Sequence, residues 1–140
     1  MRVLLDANVY ISYLLAPEGE GVIVHIVEVG IAGAFRMLLP KALLEKIVVT
    51  VLKHEHLSRR IPPDDLRTFV NLISREAEVI PKIGASIPSV TRDRKDDYLV
   101  AYALVGQADY LVSGNKYLLA LERIGEMEIV TPAAFLRLLE

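Results

Sequence analysis

Arg2-Val3-Leu4-Leu5-Asp6-Ala7-Asn8-Val9 is the stretch on which the reading of this chain turns. Its short apolar run, without alternation, marks a strand buried on both faces, as in parallel sheets. The run stops on Asp6. In open α/β sheets ligands bind beyond the carboxyl ends of such strands, so Asp6 stands where a site would be. A carboxylate beside a buried strand is costly unless something pairs with it.

Outward from this strand the pattern repeats. Strands are expected at Arg2–Leu5, Arg36–Leu39, Ala77–Ile80, Tyr110–Val112 and Glu128–Val130. Between and after them fall helices at Val9–Leu15, Val22–Ala32, Lys41–His56, Pro63–Arg75, Arg94–Val105, Lys116–Ile124 and Pro132–Leu139. Every crossover is long enough to return parallel. The expected fold is a three-layer α/β/α sandwich around a central parallel sheet of about five strands. At 140 residues, with no repeat and no linker-like tract, the chain reads as a single domain over 1–140.

Composition removes several classes. An apolar fraction of 53% against 24% charged residues excludes disorder. The absence of cysteine excludes a disulfide framework and thiolate metal sites, and is compatible with a reducing cytoplasm, the expected compartment. Asp6 and Asn8 interrupt what a signal peptide would need to be apolar. The stretch from Gly21 to Phe35 carries His25 and Glu28, so no span is expected to cross a membrane. A net charge of −2 excludes a strongly basic binder but not a nucleic-acid enzyme with local patches.

Certain polar residues need a reason. Glu45 falls at the edge of the stripe Leu44, Ile47, Val48, Val51 and Leu52, within about two turns of the second strand's carboxyl end; on helix geometry alone a solvated flank residue is the favoured reading. In Arg92-Asp93-Arg94-Lys95-Asp96-Asp97, Asp93 suits an N-cap and Asp96 can answer it in a capping-box arrangement. Asp97 has no such explanation, since its spacing to Val100 and Leu104 turns it toward the core. Ser113-Gly114-Asn115 follows the Tyr110–Val112 strand, with Asn115 as a cap or as a further ligand. Asp6, Glu45, Asp97 and Asn115 thus each follow a different strand on one rim. Such oxygens, with no Cys or His, suit Mg²⁺ or Mn²⁺, and around such ions three carboxylates can activate water against a phosphodiester. Arg92, Arg94, Lys95 and Lys116 flank the acids as candidates for phosphate contact.

These motifs, in this order, resemble those of the PIN-domain ribonucleases, in particular the toxin branch of prokaryotic toxin–antitoxin pairs. Val3-Leu4-Leu5-Asp6-Ala7-Asn8-Val9 is similar to the family's first motif, Leu39-Pro40-Lys41-Ala42-Leu43-Leu44-Glu45 to its second, and Arg92 through Ala101 to its third. Ala108-Asp109-Tyr110-Leu111-Val112-Ser113-Gly114 and Ile129-Val130-Thr131-Pro132 match the remainder. The resemblance implies strand order 3-2-1-4-5, one or two divalent cations and cleavage of single-stranded RNA. It makes Asp6, Glu45 and Asp97 the metal-ligating acids, with Asn8 orienting the first acid and Ser113 lining the pocket. The family usually carries Asp where this chain has Asn115, and often another where it has Tyr117.

The expected function is therefore a metal-dependent endoribonuclease, the toxin of a pair, with an RNA substrate and a cognate antitoxin as partners. The alternative is a catalytically weakened PIN-like module that binds RNA or a protein. A phosphatase of the haloacid-dehalogenase type is set aside, because it needs a second Asp where Asn8 stands. Apolar residues in Val9–Leu15 and Val22–Ala32 exceed what one buried face requires, which suggests a homodimer or higher homo-oligomer.

Overall fold

The computed structural model describes residues 1–84 and 94–140, without the side chains of Arg94 and Lys95. Its elements in chain order are β1 (Arg2–Leu5), α1 (Ala7–Leu15), α2 (Val22–Ile31), β2 (Arg36–Pro40), α3 (Lys41–Lys53), α4 (Glu55–Ser58), α5 (Pro63–Glu76) and β3 (Glu78–Ile80). There follow α6 (Arg94–Val105), β4 (Tyr110–Val112), α7 (Lys116–Leu119), β5 (Arg123–Ile124), β6 (Met127–Val130) and α8 (Pro132–Leu139). The sheet order is β3-β2-β1-β4-β6-β5. Its first five strands run parallel, and among the described residues only β5 is antiparallel, against β6. The α/β sandwich is as the sequence indicated, and the order of the five expected strands is the one the resemblance implied.

Burial explains the parallel arrangement. Val3, Leu4 and Leu5 of β1, Met37 to Leu39 of β2, and Leu111 and Val112 of β4 are essentially inaccessible to solvent. A strand covered on both faces needs helices above and below it, and each such side chain contributes about 1.5–3 kcal/mol on burial. The chain leaves β1 toward β2 and β3, then returns through α6 to β4 on the other side of β1. Right-handed crossovers put the helices of these two excursions on opposite faces. The reversal opens a crevice beyond the carboxyl ends of β1 and β4, where a ligand finds room.

Three expectations change in detail. The long helix over 41–56 breaks at His54, whose extended backbone (φ −94°, ψ 113°) separates α3 from α4. The helix expected over 116–124 stops at Leu119. Glu122 and Gly125 take positive φ of 57° and 59°, and Gly125 opens a two-residue turn pairing Ile124 with Met127 as a hairpin. The stripe of α3 is centred on Leu43, Ile47 and Val51, all buried, while Leu52 is exposed; Glu45 therefore lies on the open flank and not at the stripe's edge.

The apolar surplus of α1 and α2 is largely consumed inside the domain. Val24, Ile26 and Val27 are buried where α2 meets α1, α8 and β2. Val22 remains exposed, and Ile23, Val29 and Ile31 are half-buried. Among the described residues no helix is long and apolar enough to cross a membrane.

Candidate active site

Asp6 takes the residue after β1 and occupies the N-cap position of α1, with an extended backbone (φ −64°, ψ 156°). Its amide donates to the carbonyl of Val112 at 3.0 Å, which ties the ends of β1 and β4 together. Its carboxylate does not cap α1. Instead it accepts a hydrogen bond from the Ser113 hydroxyl, 2.7 Å from Oδ2. Ser113 is 0% exposed, and its amide donates to Val130 of β6 at 3.0 Å, so the hydroxyl stands on a fixed backbone.

The hydroxyl also works as an acceptor. The Asn115 amide N–H donates to Ser113 Oγ at 3.0 Å. The side chain of Asn115 then divides its two ends. Oδ1 accepts from the Tyr117 amide at 2.8 Å and caps α7. Nδ2 donates to both carboxylate oxygens of Asp96, at 3.1 and 3.0 Å. The amide orientation follows from its partners, since a backbone N–H requires an acceptor and a carboxylate requires donors. Asp6, Ser113, Asn115 and Asp96 thus form one hydrogen-bonded chain across the β1/β4 crevice.

Asp97, the next residue of α6, is 3% exposed, in line with its core-facing position. Tyr98 beside it is half-buried. Burial foremost, then the charges of Asp6 and Asp96, pushes its phenol well above the ordinary tyrosine range, which places it against the same acids. The Lys46 ammonium lies 5.2 Å from the centre of the Tyr98 ring, within the reach of a cation–π contact.

Glu45 sits apart in character. Its carboxylate is half exposed and paired with Lys82, Nζ to Oε2 2.8 Å. The hydrogen bond from Lys82 holds its carboxyl below the usual range, opposed by slight burial and helped by the charges of Lys82 and Lys41. Lys82 follows β3, so this pair also belongs to the carboxyl rim, on the β2/β3 side.

Among the remaining sequence candidates, Asn8 is exposed on the first turn of α1. The side-chain donor on Asp6 among the described residues is Ser113. Lys116 is exposed, 5.3 Å from the Tyr117 ring centre. Arg92, Asp93 and the side chains of Arg94 and Lys95 lie outside the described residues. Asp96 accepts from Asn115, and its expected capping answer to Asp93 lies outside the described residues. Sequence reasoning overlooked Lys82, Lys46 and Tyr98. Lys82 had a usable sign, because it follows a buried strand end just as Asp6 does.

The donor set is all oxygen, from Asp6, Asp96, Asp97 and Glu45, and its chemistry fits a hard divalent cation. As these side chains stand, no three acidic or histidine groups among the described residues are gathered to hold one.

The fold is similar to a solved structure, that of VapBC2 from Rickettsia felis bound to a DNA fragment from their promoter, with a TM-score of 0.61 and 16% identity. The likeness covers 94% of this chain and 98% of that chain. No curated protein sequence matches the chain. A family model described as PIN domain matches residues 2–117, from the first strand through Asn115 and into α7. The buried parallel sheet and the acids on its carboxyl rim therefore belong to a member of the PIN-domain family, whose proteins are generally nucleases.

Proposed function

We propose that this PIN-domain protein is a divalent-metal-dependent endoribonuclease of single-stranded RNA, and the toxin of a toxin–antitoxin pair. The observation that carries the reading is the chain from Asp6 through Ser113 and Asn115 to Asp96, which fixes two carboxylates across the crevice between β1 and β4. Asp6, Asp97 and Glu45 are the residues that would hold Mg²⁺ or Mn²⁺. When bound, such an ion lowers the pKa of a water nucleophile and stabilises charge on the phosphodiester oxygens.

The protein's own groups have distinct tasks in this reading. Ser113 donates to Oδ2 of Asp6 and so orients that carboxylate. Such outer partners fix ligand orientation and are commonly worth about 10–100-fold in affinity or activity. Asn115 anchors both oxygens of Asp96 through its amide, while its oxygen remains on α7. Lys46 and Lys116, with Arg92, Arg94 and Lys95, supply positive charge for the RNA backbone, which the acids would otherwise repel.

Similarity to a VapBC2 chain supports an antitoxin as protein partner. A cytoplasmic location and a homo-oligomeric state complete the proposal. The neutral Asn115 favours a second reading, a weakened module that binds RNA without efficient cleavage. One experiment separates the two. Single-stranded RNA is incubated with the protein in Mn²⁺, in EDTA and with Asp6→Asn. Cleavage that requires Mn²⁺ and is lost in the variant supports the nuclease. RNA retained without cleavage supports the module, and cleavage unaffected by Asp6→Asn overturns the site.

A further inference from the structure

The pair between Glu45 and Lys82 sets a ligand candidate against an internal cation. Lys82 is not a loose surface lysine. Pro81 precedes it with a fixed φ, and Ile83 after it is half-buried against the core. The Ile83 amide donates to the Tyr102 hydroxyl at 3.0 Å, and Tyr102 is buried on α6, the helix that carries Asp96 and Asp97. The segment after β3 is thus pinned to α6, and the ammonium is presented to Glu45 from a defined position. Both members remain open to water, with side chains 57% and 50% exposed for Lys82 and Glu45. Such a pair is shallow and can be exchanged.

Resting on the divalent-cation reading above, we infer that Lys82 is a positioning residue for Glu45. Its ammonium holds the carboxylate in the cation-free protein and has to leave it for Glu45 to join a metal. Lys82 therefore sets how tightly the site takes its cation, and the released ammonium stays at the rim. Lys41 is the natural control, because its charge also acts on Glu45 while the ion-pair partner of Glu45 among the described residues is Lys82.

The test is calorimetric titration of Mn²⁺ into the full chain and its Lys82→Met, Lys82→Arg and Lys41→Met variants, with melting in EDTA confirming that each is folded. Lys82→Met is expected to bind Mn²⁺ about two- to fivefold more tightly, the range a surface ion pair can oppose. Lys82→Arg should stay near wild type, and Lys41→Met should tighten binding less than Lys82→Met. Equal tightening by Lys41→Met and Lys82→Met would reduce the effect to general charge and overturn the inference, as would unchanged or weaker binding in Lys82→Met. A wild-type protein that takes up no Mn²⁺ would defeat the cation reading itself, and this inference with it. The wild-type isotherm tells the two failures apart.

Discussion

Two halves of one rim are built by opposite means. On the β1/β4 side, Asp6 accepts from Ser113 and Asp96 from Asn115, residues whose own backbones are fixed by β6 and α7. On the β2/β3 side, the ion-pair partner of Glu45 among the described residues is the exposed ammonium of Lys82. A carboxylate turned by donors on a fixed backbone keeps its direction. One paired with an exposed lysine can exchange that partner. The first half is preorganised, and the second is exchangeable.

Stability measured by urea denaturation in EDTA puts numbers on this contrast. Ser113→Ala removes the donor to Asp6 and the acceptor for the Asn115 amide together, at a side chain that is itself fully buried. We expect a loss of about 2 kcal/mol, since hydrogen bonds to charged groups are worth about 1.5–3 kcal/mol. A loss below a few tenths would break the claim that this half is preorganised.

Asn115→Asp keeps the cap on α7, for which Asp serves as well as Asn. It deletes the donor to Asp96 and sets two carboxylates together, so one of them resists ionisation. We expect about 1–2 kcal/mol of destabilisation in EDTA, partly recovered on adding Mn²⁺. If melting curves with and without Mn²⁺ move exactly as in wild type, Asn115 is a cap and nothing more.

Glu45→Gln should cost about 0.5 kcal/mol or less, because the pair it breaks is exposed. A larger loss would place Glu45 in the structural half of the rim. The smallest effect on metal binding is expected at the opposite edge of the sheet, where Glu78 pairs with Arg2 and, more loosely, with Arg36. The hydrogen bond from Arg2, ahead of opposing burial and the two arginine charges, lowers the Glu78 carboxyl. A depressed carboxyl contributes stability above its unfolded pKa and loses it as pH falls through the folded value. Glu78→Gln should therefore lower stability near neutrality by under about 1 kcal/mol, and the difference should vanish in acid. Its Mn²⁺ affinity should equal that of wild type.

Much of this was legible from the residues. Apolar runs without alternation gave the buried parallel strands, and the polar residues that end them, Asp6 and Ser113, lie on the rim as their positions required. The spacing of Asp97 to Val100 predicted its burial, whereas Leu104, the other residue of that spacing, is exposed. The hairpin at Arg123–Ile124 escaped because a two-residue strand has no periodicity, and Lys116–Ile124 carries enough helix formers to hide the turn. Glu45 was placed one step wrongly because Leu43, Leu44, Ile47, Val48, Val51 and Leu52 admit two stripes, and only packing against the sheet selects between them.

The sequence by itself determined the alternation of elements, the parallel sheet and the placing of acids at strand ends. These depend on local periodicity and on the cost of burying charge, both of which act within a few residues. Tertiary structure decided the partners. That Ser113 donates to Asp6, that Asn115 turns its amide to Asp96, and that Lys82 meets Glu45 are contacts across 107, 19 and 37 residues of chain. Short-range preference carries no information about such pairs, because each exists only once the sheet has brought its strand ends to one edge.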